Sequence, residues 1–183
     1  MINYMTITTL LLGSSTIENW KHYHIPNQHQ QRKTQYINRG IRGLTTSELF
    51  SNQYTNHITK GIRQDPAYII FYCGINDIFD KVGNRIIVTN LRMFLEQLIG
   101  LFPKSKIIFL SLIKSPKTYT ENKISAIDYV NNHMRVVCSG FGNQIQYVNV
   151  NRGLSERHFM DDHFHLNATG YEKILEKLVG VIS

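Results

Sequence analysis

Leu10-Leu11-Leu12-Gly13-Ser14-Ser15-Thr16-Ile17 is the stretch on which the reading of this chain turns. A short water-avoiding run stops at a glycine, and two hydroxyls follow at once. A buried strand delivers a reactive side chain in this way, at its carboxyl end, where the chain turns into a helix. Ligands of open α/β sheets bind at that edge. Gly-Ser-Ser also occurs in ordinary turns, and Ser is a preferred helix N-cap. By itself the segment therefore leaves Ser15 a choice between a capping role and a chemical one.

Working outward, five short apolar runs alternate with helix-like segments: Thr6–Leu12, Tyr36–Asn38, Tyr68–Cys73, Lys106–Ile113 and Ile145–Val150. Ile69-Ile70-Phe71 and Ile107-Ile108-Phe109-Leu110 are continuously apolar, as strands buried on both faces are. Between the runs, apolar residues recur at helical spacing over Thr46–Ile62, Asn84–Phe102, Glu121–Cys138 and Asn167–Val181. The first of these opens on a capping-box-like Thr45-Thr46-Ser47-Glu48, the second stops before Pro103, and the last has Asn167 as its cap. Alternating strands and helices predict a parallel sheet with helices on both faces, in one domain over residues 1–183.

Composition narrows the function classes. The 183 residues are 42% hydrophobic and carry a net charge of +7, which points toward nucleic acid, an anionic surface or an anionic substrate. The lysines and arginines are scattered, however, and no known RNA-module pattern is present, so no nucleic-acid partner is expected. Cys73 and Cys138 are too few and too far apart for a disulfide framework and suit a reducing compartment. The apolar stretch Ile7–Leu12 is too short for a membrane span and lacks a basic leader, so a cytoplasmic chain without a transmembrane segment is expected. The segment Lys21 to Gln35, with His22, His24 and His29 and no acidic residue, reads as an exposed loop or irregular helix.

Two more segments fall where strand carboxyl ends should lie: Gly74-Ile75-Asn76-Asp77 and Asp161-Asp162-His163-Phe164-His165. Serine-type ester hydrolysis needs a nucleophilic hydroxyl, an imidazole to take its proton, a carboxylate to hold the imidazole, and donors for the oxyanion. Ser15, His165 and Asp162 supply the first three. The spacing Asp162-x-x-His165 lets one loop present both groups, so that the carboxylate accepts from one ring nitrogen while the other faces Ser15.

Four blocks in order carry a family resemblance: Gly13-Ser14-Ser15-Thr16-Ile17-Glu18-Asn19-Trp20, Asn38-Arg39-Gly40-Ile41-Arg42-Gly43, Gly74-Ile75-Asn76-Asp77, and Asp162-His163-Phe164-His165-Leu166-Asn167 followed by Gly170-Tyr171. Together they resemble the SGNH hydrolases, or GDSL-type esterases and lipases, most closely the branch of the platelet-activating-factor acetylhydrolase catalytic subunits. The resemblance implies a three-layer α/β/α fold with a five-stranded parallel sheet of flavodoxin-like type. It also implies Ser15 as nucleophile, His165 as base and Asp162 as its orienting carboxylate. The oxyanion hole would be made by the N–H groups of Ser15 and Gly43 and the side-chain amide of Asn76. No cofactor or metal is implied, and a homodimer is allowed.

Ser14 stands where many members carry Asp, which places two hydroxyls side by side. Ser14 would point elsewhere on a turn, so Ser15 is preferred. Gly40 and Asp77 read as structural, Asp77 by bonding loop amides. Gly43 serves a positive φ, the approach of an acyl oxygen, or both. A metal site from Asp161, Asp162, His163 and His165 is conceivable, but the triad already accounts for the pair Asp162 and His165. Trp20 and Tyr23 either line the substrate pocket or cover the sheet edge. The expected activity is metal-independent hydrolysis of carboxylic esters, with short acyl groups favoured, such as acetyl esters of a lipid, a carbohydrate or a small molecule. The alternatives are a catalytically idle binding or scaffold protein on the same fold, and a basic binder of nucleic acid or anionic surfaces.

Overall fold

The computed structural model describes residues 7–22 and 34–182. Five strands, β1 (Ile7–Gly13), β2 (Thr34–Gly40), β3 (Tyr68–Tyr72), β4 (Lys106–Leu110) and β5 (Ile145–Val148), form one sheet in the order β2-β1-β3-β4-β5. Every pairing is parallel. Residues 10–12 of β1 and the whole of β3 are buried, as continuous apolar runs in a doubly covered sheet must be.

Among the described residues six α-helices cover it: α1 (Ser15–Glu18), α2 (Asn52–Thr59), α3 (Ile75–Phe79), α4 (Asn84–Leu101), α5 (Glu121–Ser139) and α6 (Ala168–Leu178). Right-handed crossovers put α1, on the leftward step from β1 to β2, opposite the helices of the rightward steps. Aromatic contacts mark the two layers. Trp20 packs on Tyr171 of α6 at 5.5 Å on one face, while Phe94 of α4 meets both Tyr54 of α2 and Phe71 of β3 on the other. The α5 helix packs beside α4. The expected α/β/α architecture is therefore present. Strand order reverses between β1 and β3, and the ligand crevice of an open sheet lies at that switch.

Boundaries differ in instructive ways. The run 46–62 is not one helix. A 3-10 turn, Glu48–Phe50, precedes α2, and the true cap is Ser51, whose side chain accepts from the Tyr54 N–H at 3.1 Å. The Thr45–Glu48 pair of the capping-box-like segment does bond, the Thr45 N–H and hydroxyl donating to Glu48 Oε2 at 2.7 and 2.8 Å, but it stands before the 3-10 turn, while the Thr46 N–H and hydroxyl both go to Asp77, 31 residues away. The apolar runs 106–113 and 145–150 outlast their strands, since the chain leaves the sheet after Leu110 and Val148. The strand at 36–38 is longer than its apolar core, running Thr34–Gly40. This overtakes the end of the polar segment 21–35; residues 23–33 of that segment, Tyr23 among them, and Thr6 lie outside the described residues. Trp20 is 2% exposed and belongs to the core. No helix among the described residues is long and apolar enough to cross a membrane.

Candidate active site

Gly13 ends β1 at φ +136, a conformation open to glycine and strained for any side chain. A Cβ there would lie 1.8 Å from the Tyr72 carbonyl oxygen, so β1 and β3 approach at this point as only a bare backbone permits. Ser14 takes the N-cap position of α1 in extended conformation, its N–H donating to Tyr72 O at 3.0 Å. Its hydroxyl is buried and has no partner among the described residues. Ser15 is the first residue of α1, so its N–H has no acceptor in the helix ladder.

The turn into α1 is held from two sides. Asn38 at the end of β2 donates its amide to Ile17 O at 2.6 Å and accepts from Gly40 N at 2.8 Å. The Tyr171 hydroxyl of α6 donates to Thr16 O at 2.8 Å. A Cβ on Gly40 would meet the Glu18 nitrogen at 2.2 Å, which makes Gly40 structural as expected. Asn38 and Tyr171 stood in the sequence blocks without a role. Their pattern signal was an amide and a phenol on elements that frame the nucleophile segment.

His165 and Asp162 arrive on the loop between β5 and α6. Phe159 and Leu166 bridge across its base, and the Met160 N–H donates to His165 O at 2.7 Å. Within the loop Asp162 Oδ1 accepts from the Phe164 and His165 N–H groups, each at 2.9 Å. Its Oδ2 meets His165 Nδ1 at 2.5 Å. His165 Nε2 then lies 3.2 Å from Ser15 Oγ, across 150 residues of chain. Burial pushes the Asp162 carboxyl up, but the hydrogen bonds from the His165 ring and backbone and from Phe164 outweigh it and bring the group down to about 2. Asp162 is thus a carboxylate throughout the neutral range, fixing which imidazole nitrogen carries the proton.

Gly43 sits at φ +78 in the turn 41–44, which Leu44 N closes on Ile41 O at 3.3 Å. The turn's own bond leaves the Gly43 N–H out. A Cβ there would meet nothing within 4 Å, so φ rather than crowding selects glycine. Arg42 ties the turn to α1 through Glu18 at 3.3 Å. Asn76, in the first turn of α3, donates one amide hydrogen to Leu44 O at 2.9 Å. The buried Asp77 beside it accepts from the Thr46 N–H at 3.0 and 3.1 Å and from the Thr46 hydroxyl at 2.6 Å. Asp77 therefore pins the segment after Gly43 onto α3, the structural part expected of it. Sequence reasoning did not find Leu44 and Thr46, whose contributions are a backbone carbonyl and a long-range contact.

Asp162 and His165 meet, but Asp161 and His163 do not join them in a common metal site. His163, at φ +56, turns its Nδ1 toward Glu156 at 3.6 Å. Among the described residues no group of three or more His, Cys, Asp or Glu side chains could hold a metal ion. The Cys73 thiol is buried, and burial pushes it well above its usual range, so it offers no thiolate nucleophile beside the site. A hydroxyl, an imidazole and a carboxylate in hydrogen-bonded sequence can move a proton from oxygen to nitrogen and stabilise the cation formed.

Comparison with known proteins gives the family and the fold of the chain. The model of the GDSL-like lipase/acylhydrolase family matches residues 11–173. A solved structure provisionally named a platelet activating factor, from Streptococcus pneumonia, superposes with a TM-score of 0.77 at 21% identity, covering 100% of this chain and 86% of that one. An acetyl esterase variant with acetate ion gives 0.71 at 14% identity, with 96% of each chain covered. A family 3 carbohydrate esterase from Clostridium thermocellum gives 0.72 at 14% identity, again with 96% of each chain covered. At these identities the likeness speaks for the fold. No curated protein matches the chain.

Proposed function

The chain belongs to the GDSL-like lipase/acylhydrolase family, and from that premise we propose that it hydrolyses esters by covalent catalysis at Ser15. The observation that carries the reading is the relay in which His165 Nε2 lies 3.2 Å from Ser15 Oγ and its Nδ1 is bound to Asp162. Ser15 Oγ attacks the ester carbonyl while His165 takes its proton, and Asp162 stabilises the imidazolium. The oxyanion is held by the N–H groups of Ser15 and Gly43 and by the second amide hydrogen of Asn76, whose first is committed to Leu44. His165 returns the proton to the departing alcohol. Water activated by the same imidazole then releases the acid and restores Ser15.

The acyl group is short, acetyl being favoured. An acetyl esterase and a carbohydrate esterase among the structural neighbours support this reading. A series of 4-nitrophenyl esters from acetate to octanoate tests it: kcat/KM should fall as the chain lengthens. A rise toward octanoate would replace it with a long-chain specificity.

A further inference from the structure

His165 must hand its proton to the departing alcohol, so in the mechanism above the alcohol portion lies on the His165 side of Ser15. What stands on that side is aromatic and cationic. Phe164 packs edge-on against the His165 ring at 4.9 Å, and Phe79 packs edge-on against Phe164 at 5.2 Å. Lys123 Nζ sits 4.5 Å from the centre of the Phe79 ring, and Lys117 Nζ 5.6 Å from the centre of the Phe164 ring. Behind Phe79 opens a cavity of about 420 Å³ whose lining includes Lys81, Lys123, Asn84 and Thr120.

The lysines at this mouth are not held in ion pairs. Among the described residues Lys81, Lys117 and Lys123 make no ion pair, whereas Lys114 is held by Asp128 at 2.6 Å and Lys173 by Glu176 at 2.6 Å. The acids nearest in sequence, Asp80 and Glu121, pair with none of the three. Contact with a ring face holds an ammonium in place without neutralising it. Lys117 and Lys123, each on a ring of the pair that leads to the reacting imidazole and neither in an ion pair among the described residues, are placed to meet a negative charge.

We propose that the natural ester carries an anionic group, a carboxylate, sulfate or phosphate, on its alcohol portion, and that Lys117 and Lys123 recognise it across the Phe79–Phe164 pair. The proposal rests on the esterase reading for its orientation and adds to it the class of alcohol. It also gives the net charge of +7 a place in function. The two lysines are specificity determinants and take no part in bond making.

A matched pair of acetates tests it: 4-acetoxybenzenesulfonate and the neutral 4-acetoxybenzenesulfonamide, which differ little in size. The wild type should prefer the anion in kcat/KM at low ionic strength. The variant carrying Lys117→Met and Lys123→Met keeps the stems over the rings and loses the charge. In it the anionic-to-neutral ratio should fall about tenfold, as expected for two partly exposed charges near the ligand. Lys123→Glu should lower the ratio further, and about 0.5 M salt should shrink the wild-type preference. A parallel NMR titration with the products 4-hydroxybenzenesulfonate and 4-hydroxybenzenesulfonamide needs no turnover. It should show the anion binding at least about fivefold tighter in the wild type and equally in the double variant. If neither ester is hydrolysed, the esterase reading falls while the titration still decides the subsite. An unchanged ratio in a double variant with a wild-type thermal midpoint, or equal binding of the two products to the wild type, overturns the proposal.

Discussion

The Asn76 side-chain amide and the Leu44 carbonyl oxygen are joined at 2.9 Å. This contact fixes which end of the Asn76 side chain is nitrogen and commits one of its two hydrogens. The other is held in a set direction by a bond that no substrate disturbs, which is how a preorganised donor differs from a solvent-like one. Replacing Asn76 with Ala should lower kcat by about 10²–10³, the usual cost of one oxyanion donor. Asn76→Asp should cost more, because it brings a negative charge to where one develops. Steady-state kinetics on a short acyl ester, beside a thermal midpoint that stays near the wild-type value for Asn76→Ala, checks both.

The Thr46 hydroxyl bond to Asp77, 2.6 Å long and buried, should be worth about 1.5–3 kcal/mol, as bonds to charged acceptors are. Thr46→Val removes it at nearly constant volume and leaves the Asn90 amide without its 3.1 Å acceptor. Urea unfolding should show a loss of that size. A change under about 0.5 kcal/mol would mean the carboxylate is satisfied by other means.

Asp162 predicts a pH signature. Its folded pKa of about 2 lies below the ordinary 3.8, so its charged-state contacts stabilise the fold above pH 3.8. That contribution is lost as pH falls from 3.8 through 2. The wild-type minus Asp162→Asn difference in urea midpoint should shrink as the pH falls below about pH 4. In activity, any acid limb above about pH 4 belongs to a group other than Asp162. Asp162→Asn should lower kcat by about 10³–10⁴, because the amide no longer fixes the imidazole tautomer.

Two glycines should part company. Gly13→Ala forces a side chain into φ +136 and a Cβ to 1.8 Å from Tyr72 O, and should abolish soluble folded protein. Gly43→Ala meets open space at φ +78 and should fold with a loss of about 1–2 kcal/mol. Soluble yield and thermal unfolding of the two variants decide the matter. Equal behaviour would contradict the distinction between crowding and φ.

These expectations show where the sequence was legible. Buried strands read plainly because Tyr68–Tyr72 has both faces covered and needs no alternation. The α4 and α6 helices read plainly because their apolar faces recur every three to four residues, and because Asn167 caps α6 through the Gly170 N–H at 3.1 Å. Spacing also anticipated that one loop could bring Asp162 and His165 together. The stretch after Gly43 was legible only in part, for a physical reason. Its Thr45–Glu48 pair forms at 2.7 Å, but the adjacent Thr46 is committed to a buried carboxylate 31 residues away, a contact that no local pattern encodes. The Leu44 carbonyl that orients Asn76 carries no side-chain signal at all. The end of β4 likewise rests on a partner distant in sequence. Asn131, buried in α5, takes the Leu112 N–H and returns a bond to its carbonyl, drawing an apolar run out of the sheet.

The central claim is that Ser15, and not its neighbour Ser14, forms the acyl-enzyme. Intact-mass analysis with peptide mapping after treatment with a fluorophosphonate ester tests it most directly. The account predicts one adduct per folded chain, on Ser15, absent after Ser15→Ala and nearly absent after His165→Ala. An adduct on Ser14, or a folded wild-type chain that takes up no label, would contradict it.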